Sequence, residues 1–181
     1  MLVYFVIFVL PVIAVLSALL YLPFWSVRRK QLGKRSLLYH LVRYALLGCI
    51  LSLIYLTILW VFPIQFPPDH YFLNLRPFSW MHETYLMGME KMFEQLFLNI
   101  AMFLPYGLLL PLAMPKLRRW YRTGFAVLCT TLSIEVIQYF IGRSADIDDV
   151  IMNLTGGLLG FALFALLRRL FHKQNWWKRM L

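Results

Sequence analysis

Five apolar runs divide this chain, at roughly 3–25, 41–62, 93–113, 120–141 and 150–167. Each approaches the ~20 residues a helix needs to cross a bilayer core of ~30 Å. No other feature constrains the fold as strongly. A backbone inside hydrocarbon must satisfy its own polar groups, which leaves only helices and closed barrels. None of the runs alternates apolar with polar residues as a barrel strand does. The sequence therefore predicts an all-α, polytopic membrane protein with five transmembrane helices. Composition agrees: 61% of the residues are hydrophobic and 14% are charged, against about 25% charged in a soluble domain.

The net charge of +10 would suggest nucleic acid in a soluble protein. Here the basic residues lie between the apolar runs and act as topology signals, so no nucleic-acid partner is expected. Arg28, Arg29, Lys30, Lys34, Arg35 and Arg43 fall between runs one and two. Lys116, Arg118, Arg119 and Arg122 fall between runs three and four. Arg168, Arg169, Lys173, Lys178 and Arg179 follow run five. These hold 15 of the 18 basic residues and none of the eight acidic ones. The excess of positive charge predicts that all three stretches are cytoplasmic, with the N-terminus outside, the C-terminus inside, and 63–92 and 142–149 facing outward. The first run has no basic n-region and no small-residue cleavage site, and reads as a retained helix. Cys49 and Cys129 sit inside apolar runs without a CxxC partner, so neither a disulfide nor a zinc site is expected.

Three regions follow: two N-terminal helices with a basic loop over 1–62, a polar-bearing region over 63–168, and a basic tail over 169–181. Pro11 reads as a tolerated kink, and Tyr21, Trp25, Trp60 and Phe62 as interfacial anchors. Pro63, Pro67, Pro68 and Pro77 keep the first half of the outer segment irregular. From Ser79 the spacing predicts a short interfacial helix leading into run three, with Trp80, Tyr85, Met89, Met92 and Phe93 on one side and Glu83, Glu90 and Glu94 on another. His70 and His82 have no partner at metal-ligand spacing and read as surface residues.

The polar residues inside the apolar runs are few and gather at one level. Asn99 lies about two turns inside the outer boundary of run three, ahead of a break at Pro105 and Gly107. Glu135 and Gln138 share a face of run four. A carboxyl at that depth costs several kcal/mol unless paired or hydrated, and Arg143 is its expected partner, with Asn99 the alternative. Asp146, Asp148 and Asp149 precede run five. Capping explains one or two of these acids, but not three beside an arginine. Asn153 lies one turn further in. Gly156 and Gly160 form a small-xxx-small pair for close helix packing. Asn99, Glu135, Gln138, Arg143, Asp146, Asp148, Asp149 and Asn153 are thus the candidate ligand-binding residues, in a cavity open to the outer leaflet. Their oxygens suit a divalent cation, for which Asp146, Asp148, Asp149 and Glu135 are the candidate ligands. Arg143 suits a phosphate or carboxylate. A lipid or lipid-linked molecule would place its head here and its tail between the helices.

The same residues resemble the VanZ-like membrane protein family. They run Asn99, then Phe103-x-Pro105-x-Gly107, then Glu135-x-x-Gln138. Arg143-x-x-Asp146-x-Asp148-Asp149 follows, and Asn153, Gly156 and Gly160 close the pattern. Asn74-Leu75-Arg76-Pro77-Phe78 matches the family's short outer element. Every polar position is present over about 74–165. The resemblance implies a bacterial cytoplasmic-membrane protein, one of whose relatives is linked to low-level resistance to teicoplanin, a lipid-tailed glycopeptide. The leading expectation is an envelope protein that binds membrane lipid, a lipid-linked cell-wall precursor or a lipoglycopeptide. The alternative is a metal-assisted hydrolase or transferase acting on an envelope lipid, with Glu135 as base. That reading lacks a histidine ligand, a nucleophile paired with a base, and a phosphate loop. A transporter and a purely structural polar network are the remaining readings. The sequence leaves the oligomeric state open.

Overall fold

The computed structural model describes residues 4–32, 36–60, 64, 66–79 and 88–180. Helix α1 (Leu10–Leu32) continues a π-helical turn at Phe5–Val9. Helix α2 (Leu37–Ile54) runs into a second π-helical turn at Tyr55–Leu59. Strand β1 (Phe72–Asn74), α3 (Met89–Ala113), a 3-10 turn (Pro115–Leu117), α4 (Trp120–Phe140), β2 (Ser144–Asp146), α5 (Ile147–Phe171) and a short α6 (Asn175–Met180) follow. Among the described residues, five stretches are long and apolar enough to span a membrane: Phe5–Val27, Leu37–Leu59, Leu96–Ala113, Trp120–Phe140 and Ile147–Phe171. They coincide with the five runs of the sequence to within a few residues. The interfacial helix expected from Ser79 falls mostly on 80–87, outside the described residues.

The helices alternate in direction. At one end of the bundle, Arg43 of α2 reaches the last carbonyl of α3, donating from Nη2 to Ala113 at 2.6 Å. At the other end, α2 meets the turn after α4, and β1 pairs in parallel with β2. Leu73 opposes Ala145 and Asn74 opposes Asp146. This two-stranded ladder is an addition to the all-helical plan. Strands of three residues leave no periodic trace in a sequence.

The tightest pairing is α3 with α5, and glycine makes it possible. A Cβ on Gly160 would lie 2.1 Å from the Leu104 carbonyl, and one on Gly107 would lie 2.0 Å from that of Gly157. Gly156 abuts Ile100 in the same way. The expected Gly156/Gly160 seam is therefore real, and α3 answers it with Gly107. Association in lipid rests on such close backbone packing, because the tails are as apolar as leucine. Phe103, Val127 and Phe164 are fully enclosed where α3, α4 and α5 meet. Helix α1 packs on α2 and leaves most of its surface exposed: Val12, Val15 and Leu19 lie on the outside of the bundle.

Candidate functional site

The site grows out of the turn that ends α4. Gly142 adopts φ +82°, a left-handed conformation that glycine takes at little cost. Arg143 then donates its backbone N–H to the Gln138 carbonyl at 2.9 Å, the six-to-one bond of a Schellman cap. The chain reverses there and enters β2. Asp146 closes that strand and caps α5, its Oδ1 accepting from the Asp148 N–H at 2.8 Å. Side-chain acceptors at a helix start satisfy amides that have no intrahelical partner.

Glu135 is 6% exposed, and its Oε2 accepts the backbone N–H of Asp146 at 2.9 Å. The expected partner Arg143 acts on this carboxyl through its charge, but no hydrogen bond joins Glu135 to Arg143 or Asn99 among the described residues. Arg143 instead donates from Nη1 to the Thr57 carbonyl at 2.5 Å, and Gln138 Nε2 donates to the same oxygen at 2.9 Å. Thr57 lies in the last turn of its helix, where carbonyls lack intrahelical donors and a cation complements the dipole. Helix α2 thus supplies a backbone atom to the site, which sequence reasoning missed. Asn99 donates from Nδ2 to Asp149 Oδ1 at 2.7 Å, tying α3 to α5. Asn153 donates to Thr131 Oγ1 at 2.9 Å, tying α5 to α4.

Asp148 has a different task. Only 5% exposed, it accepts from the Phe78 N–H at 2.6 Å and from Ser79 Oγ at 3.0 Å. Phe78 has φ +64°, an unfavourable conformation for a bulky residue, which persists where its surroundings fix it. Asn74 completes the lock: Nδ2 donates to Ser79 Oγ at 2.7 Å and to Asp146 Oδ2 at 3.0 Å, while Oδ1 accepts from the Arg76 N–H at 3.1 Å. The outer Asn-Leu-Arg-Pro-Phe element is therefore fastened to the start of α5. Asn74, Ser79, Thr57 and Thr131 join the eight residues singled out by sequence. Only Asn74 carried a signal, through the family pattern.

Beside this network lies a cavity of about 1060 Å³ between α1, α2 and α3, at the upper limit of the ~300–1,000 Å³ usual for small-molecule sites. Asn99, Arg143, Asp146 and Asp149 line its polar end. Along α3 it continues over Met102 and Pro105 to Leu109, about 15 Å of helix and half the hydrocarbon core. The opposite walls are mainly apolar, from Phe5, Leu10 and Ile13 of the first helix and Leu53 and Leu56 of the second. Ser17 lies deep in this wall. It is fully buried, and its hydroxyl has no hydrogen-bond partner among the described residues. Glu135, Gln138, Asp148 and Asn153 are buried behind the polar end rather than lining it. The amide oxygens of Gln138 and Asn153 also lack partners among the described residues, so each can accept a bond from water. No group of three or more His, Cys, Asp or Glu is placed to share a metal ion among the described residues.

Fold and site together define a multi-pass helical membrane protein whose polar residues converge at one end of a glycine-packed three-helix core. The chain belongs to the VanZ/LLP1 family, whose model matches residues 44–168. Protein VanZ of Enterococcus faecium is 32% identical in an alignment of 126 residues that covers 65% of this chain and 72% of that protein. The family match begins inside α2, so it includes the helix that presents Thr57. No solved structure matches the chain.

Proposed function

We propose that this protein acts in the bacterial cell envelope by holding an amphiphilic molecule at the outer leaflet. Membership of the VanZ/LLP1 family implies a role in glycopeptide resistance. The amphiphile is a lipid, a lipid-linked cell-wall precursor or a lipid-tailed antibiotic. Its polar head meets Arg143, Asp146, Asp149 and Asn99, and its tail runs between α1 and α3. The observation that carries this reading is the cavity itself, which joins one polar end to walls that are mostly hydrocarbon. Arg143 offers donors to a phosphate or carboxylate, while Asp146 and Asp149 accept from hydroxyls or an ammonium. Glu135, Gln138, Asp148 and Asn153 hold these groups in place from behind.

Native mass spectrometry after gentle extraction tests the reading. The wild type should carry an amphiphile that Arg143→Ala loses at the head and Ala101→Phe loses at the tail. Ala101 lines the cavity and is exposed, so the larger side chain fills the tail path without touching the polar cluster. A wild type that emerges bare, or three proteins equally loaded, would overturn the proposal. In cells, both variants should lose any glycopeptide resistance the wild type confers while remaining in the membrane.

A further inference from the structure

The opposite end of the bundle holds a second, smaller crevice of about 480 Å³, bounded by α1, the start of α2 and the turn after α3. Phe24 and Tyr39 form its apolar side, and Arg43 and Lys116 its charged side. Arg43 is held rigidly. Its guanidinium stacks 3.4 Å from the Tyr39 ring centroid and donates to the carbonyls of Tyr39 and Ala113. Arg118 is fixed by a bond from Nε to the Pro111 carbonyl at 3.3 Å. Burial first, then the nearby guanidiniums of Arg168 and Arg43, lower the pKa of Arg118, although arginine stays charged in proteins. The charges of Arg43 and Arg168 thus bear on Arg118, while Arg43 and Lys116 line the crevice. All eight acidic residues fall between positions 69 and 149 of the sequence, and Glu135, Asp146, Asp148 and Asp149 belong to the polar network at the other end. Capping of the α3 carbonyls accounts for Arg43 and Arg118. It does not account for Lys116, which joins Arg43 in the crevice wall.

We propose that this crevice binds the phosphate headgroup of an anionic phospholipid. Arg43 and Lys116 contact the phosphate from the crevice wall, Arg118 and Arg168 add positive charge nearby, and Phe24 and Tyr39 pack on the glycerol and the first methylenes. Basic pockets between spanning helices recognise such headgroups, and guanidiniums already oriented by carbonyls lose little freedom on binding. The positive-inside rule assigns the crevice to the cytoplasmic leaflet. It is separate from the amphiphile site and stands whether or not that site binds anything.

The test uses the full chain in nanodiscs of phosphatidylglycerol and phosphatidylcholine in equal amounts, with retained lipid counted by native mass spectrometry. The wild type should keep phosphatidylglycerol over phosphatidylcholine. Lys116→Gln and Arg168→Gln should each lower that retention about fivefold. Arg76→Gln, an equal loss of charge at the other end, should leave it unchanged. Thermal unfolding checks that each variant is folded, and either of the first two suffices if the other is not. Equal retention of the two lipids by the wild type would overturn the proposal, as would retention unaltered in a folded Lys116→Gln or Arg168→Gln. Displacement of the lipid by an equal concentration of inorganic phosphate would reassign the crevice to a soluble anion and sink the lipid reading.

Discussion

Helices α1 and α3 differ in what surrounds them, although both are apolar spans of similar length. In its most apolar stretch α1 has 17% of its residues buried, and α3 has 39%. The first helix keeps side chains such as Val12 and Leu19 toward lipid and touches mainly α2. The third is pressed onto α5 until backbone meets backbone at Gly107, Gly156 and Gly160. The contrast separates two jobs. Precise placement of polar groups in a membrane requires a core without slack, and the α3–α4–α5 unit provides it. The tail of the proposed amphiphile requires the opposite, and the loosely attached α1 leaves a cavity on the α3 face turned away from the core.

The largest effect that can break this contrast is Gly160→Val. The added side chain has no room against the Leu104 carbonyl, and overpacking of this kind costs about 1–3 kcal/mol or more. We expect a marked fall in the melting temperature of the detergent-solubilised protein. An unchanged melt would mean that α3 and α5 are not locked as described. Asp148→Asn has a smaller and more local outcome. One acceptor oxygen is lost from the pair that holds Phe78 and Ser79, at about 1–3 kcal/mol for a buried group left unsatisfied. Hydrogen exchange should quicken over residues 72–79 and stay slow in α3 and α5. Equal loosening of all three would remove the distinction between loop and core. Val12→Ala sharpens the comparison from its weak side. Val12 is 56% exposed on α1, and such positions usually shift stability by no more than about 0.5 kcal/mol. A large drop in melting temperature would show that α1 is packed where we find it free.

Much of this was legible before any coordinates. A carboxyl or carboxamide in an apolar run is costly enough to stand out, so Asn99, Glu135, Asp149 and Asn153 could be found by residue type alone. Gly156 and Gly160 could be found by spacing. Their pairing could not. Glu135 bonds a backbone amide, and Arg143 a backbone carbonyl at Thr57, atoms that every residue carries and no sequence pattern marks. Ser17 was overlooked because a single serine in a spanning helix is ordinary. Only the cavity beside it gives its hydroxyl significance. Asp148 was grouped with its neighbours because three acids look alike in a row, and the loop that occupies it lies 70 residues earlier.

That distance sets a timetable. Chains are made from the N-terminus, and domains generally fold as they emerge. Here Asn74 and Phe78 are synthesised long before Asp146 and Asp148, and Gly107 long before Gly157. Until α5 enters the bilayer, Asn99 has no Asp149, the notch along α3 stands open, and the outer loop has nothing to clasp. Helix α5, made after the other four described spans, therefore serves as the keystone. A nascent chain stopped before it would hold four helices in the membrane and no assembled site.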